Sequence, residues 1–189
     1  MQAESKDGSG TKSALREIVE TILITLVIYA VIRTFLFENY RVVGQSMEPM
    51  LETDQFLVVN KLDYRLHEPQ RGDIIVFREP HANGRKLIKR IIGLPGETVA
   101  VQGGEVFIDG APLDEPYLAV STHNERDPVL IPEGHLWVMG DNRNNSSDSR
   151  SWGPLPKDDI VGKAWLTYWP PPLWGVIPHQ AYGGLAPGQ

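Results

Sequence analysis

The sequence predicts a mostly-β fold, a barrel or sandwich, tethered by one N-terminal transmembrane helix. Three observations carry this. A single apolar stretch, Ile18–Phe37, lies near the N-terminus. Downstream of it, short runs rich in Val, Ile, Phe and Trp alternate with turn signals. Gly (18) and Pro (15) are scattered through the body of the chain, which favours short strands and tight turns over long helices.

Residues 1–16 are polar and small, and are expected to form a disordered tail. The helix is placed at 17–37. A full span needs about 20 helical residues, and the charge-free core, Thr21–Ile32, is shorter than that. Glu20 and Arg33 fall near its ends, however, where a long Arg side chain can reach the interface. No small-x-small site directly follows, so a cleavable signal peptide is disfavoured. The flanking cations (Lys6, Lys12 and Arg16 before; Arg33 and Arg41 after) are too balanced to set the orientation.

Residues 38–170 form the β-rich domain. Its expected strands are Asn39–Val43, Gln55–Asn60, Asp73–Arg78, Lys86–Ile92, Glu97–Val101, Glu105–Ile108, Leu136–Met139 and Ile160–Trp169. Arg71-Gly72-Asp73, Gly103-Gly104 and Asp109-Gly110 supply turns between them. Residues 171–189, opening on Pro171-Pro172, are expected to be an irregular Pro/Gly-rich tail.

Composition excludes several functions. A net charge of −6, from 18 basic and 24 acidic residues, argues against a nucleic-acid partner held through phosphates. The absence of cysteine rules out disulfides, thiolate metal sites and a Cys nucleophile. The five histidines show neither pairing nor H-E-x-x-H spacing, so no metal site is expected. The polar loop Gly140–Arg150 fails as a calcium loop: no Gly stands sixth from Asp141, and Trp152 stands twelfth.

A serine needs a base before it attacks. Gly44-Gln45-Ser46-Met47 resembles the start of a nucleophile elbow, except that Glu48 stands where the second Gly belongs. With no histidine in support, lysine is the remaining base, provided that an apolar setting strips its charge. Lys89 sits in such a setting, within Lys86-Leu87-Ile88-Lys89-Arg90-Ile91-Ile92. The loop Gly140–Arg150 holds two Asp, two Arg, three Asn and three Ser, and such a segment orders only as a closed hydrogen-bond network.

Together these blocks resemble bacterial-type signal peptidase I, the membrane-bound Ser/Lys endopeptidase family that removes signal peptides. The resemblance runs from about Ile18 to Pro170. It is carried by Ser46-Met47-Glu48-Pro49-Met50-Leu51, Arg71-Gly72-Asp73-Ile74-Ile75-Val76-Phe77, Lys89–Glu97 and Gly140–Arg150, in that order. It implies a signal-peptidase-like catalytic domain with a small or missing cap, because little chain separates Gly96 from Gly140. It implies Ser46 as nucleophile, Lys89 as general base and Ser146 as the hydroxyl orienting the amine. Arg90, Asp141, Asp148 and Arg150 match residues that hold the site by ion pairs, and the Ser46 backbone N–H matches an oxyanion donor. No cofactor or metal is implied. The implied partners are signal peptides of exported preproteins and a lipid bilayer, with a monomeric enzyme, its N-terminus cytoplasmic and its catalytic domain on the outer face of the cell membrane.

Two departures stand out. Gly44 occupies the position where some members carry a second oxyanion hydroxyl, and Met50 replaces a common threonine. A soluble self-cleaving Ser/Lys repressor-type protease would require a DNA-binding N-terminal domain where this chain has an apolar helix. A catalytically silent binding protein on the same fold would not require Ser46, Lys89 and Ser146 together.

Overall fold

The computed structural model describes residues 9–80, 84–118 and 120–182. The chain divides into two compact units, Met1–Phe37 and Glu38–Gln189.

The first unit is a helix. Helix α1 spans Ser9–Val31 and continues through a π-helical turn, Ile32–Leu36. It therefore starts inside the segment expected to be disordered; of that segment, residues 1–8 lie outside the described residues. Ser13–Leu36 is 24 residues long and apolar enough to cross a membrane, reaching about 35 Å at about 1.5 Å per residue. Every side chain from Ser13 to Phe35 is exposed. The polar groups near its start are matched within the helix: Arg16 pairs with Glu20 at 2.6 Å, and the Thr21 and Thr25 hydroxyls donate to the carbonyls of Glu17 and Thr21.

The second unit is built from two antiparallel sheets. The larger contains β1 (Phe37–Arg41), β2 (Phe56–Asn60), β3 (Ile74–Arg78), β4 (Lys86–Gly93), β9 (His135–Met139), β10 (Leu155–Pro156), β11 (Ile160–Trp169) and β12 (Gly175–Val176). Its order is β1-β2-β11-β3-β4-β9-β10, with β12 added to β11. The smaller, of order β7-β6-β5-β8, joins β5 (Thr98–Gln102), β6 (Glu105–Ile108), β7 (Ala111–Pro112) and β8 (Arg126–Leu130). It fills the stretch where a small or missing cap was expected. Two four-residue helices, α2 (Asp63–Leu66) and α3 (Ser149–Trp152), complete the elements used below.

The larger sheet is covered on both faces, which is why β3 reads as the unbroken apolar run Ile74-Ile75-Val76-Phe77. Ile74 and Val76 join Val42, Met47, Ile88 and Ile177 in one core, while Ile75 and Phe77 join Ile91, Val138 and Leu155 in another. A third core, around Trp137, Val99 and Ile131, fills the region of the smaller sheet.

The C-terminal segment differs from expectation. Residues 171–182 are part of the domain: β12 pairs with β11, Ile177 is buried, and Tyr182 packs on the third core. The His179 ring accepts from the Ile74 N–H (3.0 Å) through Nδ1, while Nε2 lies 3.0 Å from the Ala164 carbonyl. The remainder of the expected tail, 183–189, lies outside the described residues.

Candidate active site

Three chain segments meet at Ser46. The first is the turn after β1. Gly44 adopts φ +90°, a conformation that glycine takes at low cost, and this re-aims the chain leaving β1. A side chain at Gly44 would meet open space, so only the backbone conformation opposes one there. Met47 is almost fully buried, which anchors the residue next to Ser46 in the core.

The second segment is β4. Because strand side chains alternate, Lys89 and Arg90 leave it on opposite faces. Lys89 Nζ lies 2.6 Å from Ser46 Oγ and donates to the Ile88 carbonyl at 2.9 Å. Lys89 is 2% exposed. Burial lowers its amine from 10.5 to about 8, against weaker upward pulls from Asp148 and Asp141.

The third segment is the polar loop. The Asn142 N–H donates to the Ser46 carbonyl at 3.0 Å, fixing the Ser46 backbone from the loop side. Gly140 lies at the closest approach. A Cβ there would run into both Ser146 Oγ and the Ser46 carbonyl, so only glycine fits. The Gly140 N–H donates to Asp148 (3.0 Å), and its carbonyl accepts from Arg143 Nε (3.2 Å). Asp148 also forks with Arg150 at 2.8 Å on both oxygens and caps the start of α3.

Arg90 forks onto Asp141 (2.8 and 2.6 Å), donates to the Gly72 carbonyl (3.0 Å), and lies over the Tyr117 ring at 4.1 Å. The structure thus brings Ser46 and Lys89 into contact and ties Arg90 to Asp141 and Arg150 to Asp148. Ser146 reaches the same corner, but no hydrogen bond joins it to Lys89. Its buried hydroxyl has no partner among the described residues.

Sequence reading missed Arg143. Its side chain is fully buried and forks onto Glu115, with further bonds to Thr122 (3.3 Å) and Tyr117 (3.4 Å). It therefore braces the Gly140 carbonyl against the segment that links β7 to β8 in the smaller sheet. The signal for it was the Arg inside a loop too polar to be left unpaired. Arg71 and Asp73 are also buried struts: Arg71 bonds the Ile92 carbonyl and Glu97, and Asp73 binds Tyr64, the Gln70 N–H and Lys163. Among the described residues, no group of three His, Asp or Glu is placed to hold a metal ion.

Residues 15–169 match the family described as signal peptidase, peptidase S26. The chain belongs to that family. Signal peptidase relatives include a probable signal peptidase I-2 from Synechocystis sp., 38% identical over 95% of this chain and 85% of its own. A signal peptidase I from Leptolyngbya laminosa is 42% identical over 84% of this chain and 81% of its own. A crystal structure of a signal peptidase I from Enterococcus faecalis V583 is 38% identical, with a TM-score of 0.45 over 51% of this chain and 97% of that one.

Proposed function

We propose that this member of the signal peptidase family is a membrane-anchored serine endopeptidase using Ser46 and Lys89. It removes N-terminal signal peptides from exported preproteins after small residues at positions −1 and −3. The observation that carries the reading is the 2.6 Å approach of the buried Lys89 amine to Ser46 Oγ, with that amine lowered to about 8.

In the mechanism, neutral Lys89 accepts the Ser46 proton as Oγ attacks the scissile carbonyl. An N–H of the amine remains on the Ile88 carbonyl and keeps the lone pair aimed at the serine. The tetrahedral oxyanion is held by the Ser46 N–H; Gly44 adds no side-chain donor. Protonated Lys89 then delivers its proton to the leaving amine, and water, deprotonated by the same group, hydrolyses the acyl-enzyme. Ser146 turns its free hydroxyl to the amine once substrate closes the site, since hydrogen bonds of this kind tighten in the substrate complex. The Arg90–Asp141 and Arg150–Asp148 pairs hold the loop in place.

Substrate binds as an added strand between residues 39–45 and 86–88. Tyr40, Val42 and Ile88 pack in one apolar cluster there, which suits small side chains at −1 and −3. The helix Ser13–Leu36 is the bilayer anchor, exposed and apolar on all sides. The N-terminus is cytoplasmic, the catalytic domain lies on the outer face of the cell membrane, and the enzyme acts as a monomer. Exposed Trp169, Trp174, Leu173 and Val176 at one end of the larger sheet suit a membrane interface.

The test is cleavage of a preprotein with an Ala-x-Ala site by detergent-purified wild type, Ser46→Ala and Lys89→Ala. Cleavage at that site by wild type alone is expected. Full activity in Lys89→Ala would move the base elsewhere, with Lys86 next in line, and activity in Ser46→Ala would overturn the mechanism.

A further inference from the structure

We propose that the Tyr40 hydroxyl gates the substrate groove, occupying the backbone acceptor that an incoming signal-peptide strand needs and leaving it when the strand docks. This rests on the strand-addition reading given above.

Backbone direction in β4 follows from one residue. The Ile91 N–H donates to the Asp73 carbonyl (2.8 Å), and the Ile91 carbonyl accepts from the Gly72 N–H (2.8 Å), so Ile91 faces the β3 side. Direction alternates along a strand. Lys89 and Leu87 therefore face β3 as well, while Arg90, Ile88 and Lys86 face the opposite edge. Strand β9 covers that edge only from Arg90 onward, in register Arg90↔Met139. Ile88 and Lys86 thus offer their carbonyls to an edge that β9 does not reach.

The facing border is β1, an edge strand of the larger sheet. The Val42 N–H donates to Gln55, and its carbonyl accepts from Asp54, so Val42 faces β2 and its neighbours Arg41 and Val43 face away. Side-chain contacts tie the borders together: Ser46 to Lys89 at one end, and Tyr40 and Glu38 to Lys86 at the other.

Both outward carbonyls of β4 are occupied by side chains. Lys89 Nζ takes the Ile88 carbonyl, which belongs to the catalytic arrangement. The Tyr40 hydroxyl takes the Lys86 carbonyl at 3.2 Å and has no part in that arrangement. Its side chain packs against the core cluster that contains Val42 and Ile88, so a phenylalanine would supply the same apolar floor. The hydroxyl adds only a bond to the acceptor that a docking strand requires. Lys86 is further held by an ion pair to Glu38, whose other oxygen lies 3.9 Å from Lys61. At about 3.3 Å per residue, the closed point lies roughly 10 Å along β4 from Lys89, opposite the substrate backbone near −3 and −4. The gate sets the same threshold for every extended segment, so only those that also fill the apolar floor remain bound.

The experiment compares wild type and Tyr40→Phe, full-length in detergent, on a fluorogenic peptide with Ala at −1 and −3. The same peptide is also N-methylated singly at each position from −2 to −5. Tyr40→Phe is expected to lower KM about 2- to 10-fold, the worth of one intramolecular hydrogen bond, with kcat within about twofold. That gain should vanish on the one peptide whose methyl group replaces the hydrogen bound for Lys86. An unchanged or raised KM overturns the gate, as does a gain that persists on every methylated peptide. Ser46→Ala, run alongside, separates the two readings. Cleavage that survives in it removes the peptidase mechanism and the gate together, whereas cleavage lost in it with no KM gain in Tyr40→Phe removes the gate alone.

Discussion

Lys89 and Arg90 are neighbours on one strand, carry the same formal charge and are both buried, yet the fold treats them in opposite ways. Arg90 meets Asp141 through a two-bond fork. Burial alone would push its guanidinium down, but the Asp141 bonds and charge outweigh that and hold it above its ordinary value. Lys89, on the other face, has a hydroxyl and a carbonyl for neighbours, and burial lowers it to about 8. A buried cation can keep its charge by pairing or approach neutrality by going unpaired. The strand uses the first solution at Arg90, as a strut, and the second at Lys89, for which we propose the role of base.

That contrast can be broken most severely at Asp141. Asp141→Ala leaves the Arg90 guanidinium buried without its partner, a loss of about 3–5 kcal/mol. In a domain of this size the expected fall in Tm is about 10 °C; a Tm within about 2 °C of wild type would show that Arg90 is not held this way. Lys89→Met should act in the opposite direction, raising stability at pH 7 by about 2–3 kcal/mol while abolishing cleavage. The sign follows from linkage. The unfolded amine titrates at its ordinary 10.5 and the folded one at about 8, so between these values the unfolded chain binds more protons and stability climbs with pH. Below about 8 the full cost of burying the charge is present. Denaturant unfolding at pH 7 and pH 10 should therefore show a rise in wild type that Lys89→Met lacks.

The residues that could be read in advance are those whose signals are local. The apolar residues flanking Lys89 in β4, the continuous apolar run of β3 and the density of charge in the Gly140–Arg150 loop are all properties of short windows. Partners distant in sequence were not legible. Glu115 sits in the stretch Pro112–Pro116, with no periodicity to mark it, and only the tertiary fold brings it to Arg143. Strand β8 was missed because Arg126, Asp127 and Pro128 oppose strand propensity; it survives as the edge strand of its sheet, where such residues are tolerated. Residues 171–182 have the composition of a tail, and it is tertiary contacts that make them part of the domain: the pairing of β12 with β11, the burial of Ile177, the two ring contacts of His179 and the packing of Tyr182.

A smaller effect, about tenfold per pH unit or about 1.4 kcal/mol, sharpens the Lys89 half of the comparison. If the neutral amine is the base, kcat/KM should rise tenfold per unit below pH 8 and level off above it, since this parameter follows the free enzyme's base. Arg90 cannot contribute to such a profile, because a guanidinium does not titrate in this range. A flat profile from pH 5 to 9, with chemistry rate-limiting, would remove Lys89 as the base.

The smallest change in stability is expected at Ser146, where the distinction between strut and reactive group is most exposed. Its hydroxyl is buried and has no partner among the described residues, so it belongs with Lys89 rather than with Arg90. Removing a satisfied polar group from a core sacrifices a hydrogen bond worth about 1 kcal/mol. Removing an unsatisfied one sacrifices nothing, so Ser146→Ala should leave Tm within about 1 °C. Its consequence should fall on kcat instead, by tenfold or more, if the hydroxyl orients the Lys89 amine when substrate is bound. A variant with wild-type Tm and reduced kcat separates chemistry from folding at this corner. Wild-type kcat together with wild-type Tm would take Ser146 out of the mechanism and leave the Ile88 carbonyl to orient the amine.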